Sequence, residues 1–188
     1  MILNYDEVRD KVESVQGYLP APQPAYLFRL VTFSPLDSII VEIGSYFGRS
    51  SVAMGFACLG TNRKLYSIDV WENEHIYLEW QKTIKEFGLE DHVIPIRGWS
   101  GEILLDLGKF INGNKIYMSF IDGGHGLANV LNDFILIYPW VKNDGIIAFH
   151  DVCEGHPEVL KAWEILKALL VNHEKEGSLA LGRKTLIK

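Results

Sequence analysis

An alternation along the chain narrows the fold more than any other feature. Five short apolar runs, Ser38 to Ile43, Leu65 to Ile68, His92 to Ile96, Ile116 to Ile121 and Ile146 to Phe149, are separated by stretches whose apolar residues recur at helical spacing. Those stretches are Ser50 to Leu59, Glu74 to Phe87 with Gly88 as its cap, the set Ile103, Leu104, Leu107 and Phe110, and the set Leu127, Val130, Leu131, Phe134 and Tyr138. Asp144-Gly145 reads as the turn before the fifth run, and Leu160, Trp163, Leu166 and Leu170 share a helix face after Pro157. Runs that are apolar throughout suit strands buried on both faces. The pattern predicts an α/β fold: a Rossmann-like, doubly wound, mostly parallel sheet with helices on both faces. Ser178 to Ile187 reads as a C-terminal strand pair. Ahead of the alternation, Asn4 to Tyr18 reads as an amphipathic helix, LPAPQP as a linker and Ala25 to Phe33 as a second helix. The expected organisation is therefore an N-terminal helical segment, 1–34, supplying a lid or substrate or dimer contacts, and a ligand-binding domain, 35–188.

Sheets of this kind bind ligands outside the carboxyl ends of their strands, and the unusual residues cluster there. The first strand ends in Glu42-Ile43-Gly44-Ser45-Tyr46-Phe47-Gly48-Arg49-Ser50-Ser51. Its glycines permit a tight turn, and the helix that follows offers free N–H groups to an anionic ligand. Asp69 ends the second strand, about 25 residues past Gly44, where a carboxylate can accept ribose hydroxyls. Capping of the next helix is its structural alternative. Trp99 and Ser100 follow the third strand; packing and capping are theirs. Asp122 and Asp151 end neighbouring central strands, so two hard oxygen ligands can converge, and His150 beside them shifts preference from Mg²⁺ toward Mn²⁺, Fe²⁺ or Zn²⁺; a backbone hydrogen bond at a helix start is the alternative for Asp122 and a satisfied buried histidine that for His150. His125, three residues past Asp122, is the candidate base, with capping as its alternative. His75, His92, His156 and His173 lack such neighbours in sequence.

Taken together, E-I-G-S-x-x-G-R-S-S, S-I-D and G-W-S resemble the class I S-adenosylmethionine-dependent methyltransferases. The fourth and fifth strand ends, D-G-G-H and H-D, resemble the branch of cephalosporin hydroxylase-like proteins and macrolide-sugar O-methyltransferases. That resemblance implies that Glu42, Gly44, Ser45, Gly48 and Ser51 line the methionine side of the cofactor, Asp69 the ribose, and Trp99 with Ser100 the adenine. It places Asp122 beside the cofactor and in a metal site with His150 and Asp151. It implies metal-assisted O-methylation of a small-molecule or glycan hydroxyl with His125 as base, the metal being Mg²⁺ or Mn²⁺. Two departures stand out: Val152 replaces the asparagine ligand of catechol-type enzymes, and His150 replaces an acidic residue of the macrolide-sugar branch.

Composition removes other classes. A formal charge of -6 argues against a surface that tracks phosphates, so nucleic acid is not an expected partner. Cys58 and Cys153 have neither paired nor metal-type spacing, the acidic N-terminus does not read as a signal peptide, and no apolar run is long enough to span a membrane. A cytoplasmic protein, possible as a homodimer, is expected. A nicotinamide-dependent oxidoreductase is disfavoured by Tyr46, which stands where G-x-G-x-x-G needs its second glycine. A cofactor-binding module without chemistry is the other alternative.

Overall fold

The computed structural model describes residues 3–185. Its strands are β1 (Ile39–Ile43), β2 (Lys64–Asp69), β3 (Val93–Arg97), β4 (Ile116–Ile121), β5 (Val141–Phe149), β6 (Leu170–Glu176) and β7 (Leu179–Lys184). They form one seven-stranded sheet in the order β3-β2-β1-β4-β5-β7-β6. The first five run parallel, and β7 is antiparallel to both β5 and β6. The chain winds outward from β1 to β3 and then returns to β4 on the other side of β1. This reversal opens a crevice at the carboxyl ends of β1 and β4. The Rossmann-like expectation is met.

The helices are α1 (Arg9–Ser14), α2 (Gln23–Thr32), α3 (Arg49–Phe56), α4 (Glu74–Glu86), α5 (Ser100–Ile103), α6 (Leu127–Ile137) and α7 (Pro157–Leu166). Strand alternation sends apolar side chains to opposite faces, which gives the sheet a core on each side. Ile40, Leu65, Met118 and Phe120 pack with Val12, Leu27, Val31, Val52 and Trp80 from α1 to α4. Val41, Ile43, Ile121 and Ile147 pack with Val130, Phe134, Val159 and Trp163 from α6 and α7. The N-terminal helices thus share a core with the sheet.

Several elements differ from the sequence reading. The first helix is a 3₁₀ turn, Tyr5–Glu7, followed by the short α1, and the chain is extended at Val15. The segment from Ile103 gives only the end of α5 and a 3₁₀ stretch, Leu104–Lys109, kinked at Asp106. Asp144-Gly145 lies inside β5: pairing jumps from Ile116 opposite Val141 to Met118 opposite Ile146. The turn chemistry is real, with Asp144 at φ 62°, but the chain bulges and rejoins the same neighbour. Leu170 starts β6 instead of closing the helix, so the strand pair begins there and Ser178 falls between its strands. Ile187 lies outside the described residues. No helix among the described residues is long and apolar enough to cross a membrane.

Candidate active site

The loop after β1 is shaped by close approach of two strands' ends. Gly44 adopts φ 87°, and a Cβ there would lie 2.1 Å from the Asp122 carbonyl oxygen, so no other residue fits without moving the backbone. Gly48 begins α3 at φ 96°, against the Trp80 ring. Beneath the loop, Glu42 is fully buried. Its Oε2 accepts hydrogen bonds from Ser45 (2.9 Å), Ser51 (2.5 Å) and Ser67 (2.8 Å), while Oε1 accepts from Ser50 (2.5 Å). Burial pushes its carboxyl up from the usual range, and the four hydroxyls oppose that push.

Asp69 closes the loop from the other side. Its Oδ2 accepts the backbone N–H groups of Ser45 (2.8 Å) and Tyr46 (2.9 Å), and its Oδ1 accepts that of Trp71 (2.7 Å). Three of the roughly four acceptor positions of a carboxylate are thereby used. Trp99, 59% exposed, offers a free indole face. Ser100 donates to Asp133 Oδ1 at 2.6 Å, and burial raises the Asp133 carboxyl against that hydrogen bond.

At the ends of β4 and β5 the chemistry changes. His150 is buried, with Nδ1 3.1 Å from Asp122 Oδ1 and 3.2 Å from Asp151 Oδ1. Its Nε2 lies 2.9 Å from Gln23 Oε1 and 3.3 Å from Ser178 Oγ. Gln23 Nε2 in turn donates to the Glu176 carbonyl (3.1 Å) and to Ser178 Oγ (2.9 Å), so its oxygen is the atom left to face the ring. The amide oxygen only accepts, which fixes the proton of Nε2 and leaves Nδ1 toward the carboxylates. Burial alone lowers the imidazole pKa, but hydrogen bonds and charge from Asp122 and Asp151 outweigh it and push it up to about 10. Asp151 is held below the usual carboxylate range: its partial burial is overcome by His150, His156 and His125. Asp122 moves the other way, raised by burial and by the Asp151 charge against the pull of His150.

Asp151 has φ 58°, uncommon for a residue with a side chain. The carboxylate gathers three histidines. Besides His150, His125 Nε2 lies 3.0 Å from Oδ2 and His156 Nε2 lies 3.6 Å from Oδ1.

A cavity of about 470 Å³ joins the two ends. Gly44, Ser45, Asp69, Trp99, Ser100, Asp122, His125, His150 and Asp151 all line it. Glu42, Gly48 and Ser51 do not: they stand behind the wall, because position 42 points into the core beneath the loop and Ser51 follows it there. Their part is to hold the loop's shape. The segment after α1, in the N-terminal part expected to supply a lid, closes the cavity from above together with Arg49. Arg49 donates to the carbonyls of Val15 (2.7 Å), Leu19 (3.3 Å) and Glu13 (3.4 Å), fixing the segment that follows α1 over the loop. Tyr18 there stacks on Tyr46 with ring centroids 5.8 Å apart. Tyr26 and Phe28, on the helix that follows, are core residues. His156 lies beside the cluster despite lacking a neighbour in sequence, because residues 152–155 fold back to the start of α7.

This fold is shared with structurally characterised O-methyltransferases. An O-methyltransferase from Bacillus cereus in complex with SAH superposes with a TM-score of 0.72 at 16% identity, over 96% of this chain and 90% of that one. TomG of Streptomyces achromogenes, involved in tomaymycin synthesis and bound to SAM, matches at 0.72 and 17% identity over 97% and 96%. MycE of the mycinamycin pathway, in complex with Mg, SAH and mycinamycin VI, matches at 0.69 and 17% over 97% of this chain but 55% of its own. In sequence, a family described as a methyltransferase domain matches residues 41–152, more than half of the chain. The chain belongs to that methyltransferase family.

Proposed function

We propose that this methyltransferase moves the methyl group of S-adenosylmethionine to a hydroxyl of a small-molecule or sugar acceptor. The observation that carries the reading is that one cavity is lined by Asp69 and Trp99 at one end and by the ionisable groups Asp122, His125, His150 and Asp151 at the other. The SAM or SAH and, in one case, the macrolide named with the structural neighbours support the same reaction class. At the first end, the remaining acceptor position of Asp69 takes a ribose hydroxyl and Trp99 stacks on the adenine, with Ser100 held by Asp133 beside it.

At the other end, His125 is the base. With Nε2–H donated to Asp151, its Nδ1 is the atom free to take a proton. As the acceptor oxygen bonds to the methyl carbon, the carbon–sulfonium bond breaks, leaving a thioether, and the hydroxyl proton passes to His125. Asp151 stabilises the resulting imidazolium. The donor set of Asp122, His150 Nδ1 and Asp151, whose ligand atoms lie within 4.8 Å of one another, fits a divalent ion. Because one donor is an imidazole oriented by Gln23, the set suits Mn²⁺ or Zn²⁺ better than Mg²⁺. Such an ion would supply Lewis acidity to the acceptor hydroxyl.

Calorimetry with S-adenosylmethionine and its demethylated product, followed by a screen of hydroxyl acceptors with and without chelator, tests the assignment. Asp69→Ala is expected to weaken cofactor binding by about 1–3 kcal/mol, the scale for unpaired polar groups. A protein that ignores S-adenosylmethionine, or that methylates none of the hydroxyl classes offered, refutes it.

A further inference from the structure

The side chains around Asp151 form a second donor set that shares only that carboxylate with the one above. We propose that His125, His156 and Asp151 are a two-histidine, one-carboxylate site for a borderline divalent ion such as Zn²⁺. His125 comes from the loop between β4 and α6, Asp151 from the end of β5, and His156 from the start of α7, so three separate elements aim donors at one point. The two imidazoles meet edge to face with centroids 4.6 Å apart, and both turn Nε2 toward the same carboxylate. The three ligand atoms fall within 4.8 Å of one another.

The spacing suits a metal. Ligands about 2.0–2.2 Å from Zn²⁺ lie roughly 3.3 Å apart in a tetrahedron. The nitrogen-to-oxygen separations, 3.0 Å from His125 Nε2 to Asp151 Oδ2 and 3.6 Å from His156 Nε2 to Oδ1, are near that edge, and because they run to different oxygens the carboxylate would span the ion with both or turn to present one. The two histidines are 50% and 37% exposed, so an ion can enter from solvent and a water can complete its shell. His150, by contrast, is buried and reached only through the cavity, with its ring nitrogens against Asp122 and Gln23. Two imidazoles with a carboxylate and open positions match the preferences of Zn²⁺, Co²⁺ and Fe²⁺ over those of Mg²⁺. An imidazole bound through Nε2 keeps its remaining proton on Nδ1, so His125 cannot hold an ion and accept the acceptor proton at once.

The test reads ion binding on the full chain, and its result is independent of the methyl-transfer assignment. Chelator-treated protein is titrated with Co²⁺, followed by visible absorption, and with Zn²⁺ by calorimetry. Wild type and Asp122→Asn, which damages the inner donor set only, are expected to bind alike at the outer site. Adding His156→Ala to Asp122→Asn should weaken binding by about 10-fold or more, since even loss of an outer-shell partner costs about that much. His125→Ala should do the same and guards against one variant failing to fold. Co²⁺ binding that survives both histidine substitutions, that disappears with Asp122→Asn alone, or that is absent from folded wild type overturns the site.

Discussion

The two ends of the cavity are built on opposite physical plans. Under the loop after β1, one buried carboxylate is surrounded by neutral hydroxyls: Glu42 has four serine donors and no cation among its hydrogen-bond partners. At the ends of β4 and β5, two carboxylates and three imidazoles are crowded together, partly exposed, with Asp151 held in a left-handed backbone conformation. Hydroxyl networks fix geometry without changing charge. Clusters of titratable groups exchange protons and bind ions, and they keep that capacity only if the surrounding structure holds them in place. On the function proposed above, the first end is a frame and the second the reaction centre.

The largest expected effect lies at the reaction end. Asp151→Asn keeps the shape of the side chain but removes the charge that orients His125 and shares the His150 proton. Turnover should fall by about 10²–10⁴-fold, the range spanned by a positioned base and its orienting carboxylate, while binding of S-adenosylmethionine persists. Single-turnover methyl transfer alongside calorimetry separates the two. Unimpaired turnover would erase the distinction between the ends.

The same substitution logic applied to the frame should read out in stability. Glu42→Ala leaves four buried hydroxyls without their common acceptor and opens a cavity, so unfolding in denaturant should show a loss of about 3 kcal/mol or more. An effect below about 1 kcal/mol, the ordinary net value of one hydrogen bond, would mean that the serines find other partners easily and the frame is not rigid.

Much of this arrangement was legible in the chain because parallel strands deliver their last residues to one edge. Asp69, Trp99, Asp122, His150 and Asp151 each end or follow an apolar run, and all line the cavity. Where the reading went astray, the missing information was direction or distance. Glu42 stands one residue before a strand's end, yet strand alternation turns its side chain into the core with Ile40, and nothing in a run of apolar residues says which face lies under the ligand. Gln23 reaches His150 across 127 residues of sequence, a pairing that exists only once the start of α2 meets the end of β5 and the turn between β6 and β7. His156 stands five residues from Asp151, but only the reversal before α7 makes them neighbours.

The smallest expected effect distinguishes the shape of the Glu42 frame from its charge. Glu42→Gln keeps the size and one acceptor oxygen, and the serine hydroxyls can rotate to accept from the new amide. At neutral pH it should therefore be far milder than Glu42→Ala. Its signature is in pH dependence. Burial raises the Glu42 carboxyl in the folded chain, the serines opposing only in part. Between the ordinary glutamate value and that raised one, the folded chain holds a proton that the unfolded chain has released. The stabilisation from this group is fully present below the ordinary value and is lost as pH rises through the raised one, with a slope of at most about 1.4 kcal/mol per pH unit. Glutamine does not titrate, so the variant should lack this part of the wild-type decline. Denaturant midpoints of both proteins, measured from mildly acidic to mildly alkaline pH, should converge at the acidic end in their difference from Glu42→Ala and separate in favour of Glu42→Gln as pH rises. Parallel curves would mean that the four hydroxyls fully offset burial and that Glu42 stays ionised in the core.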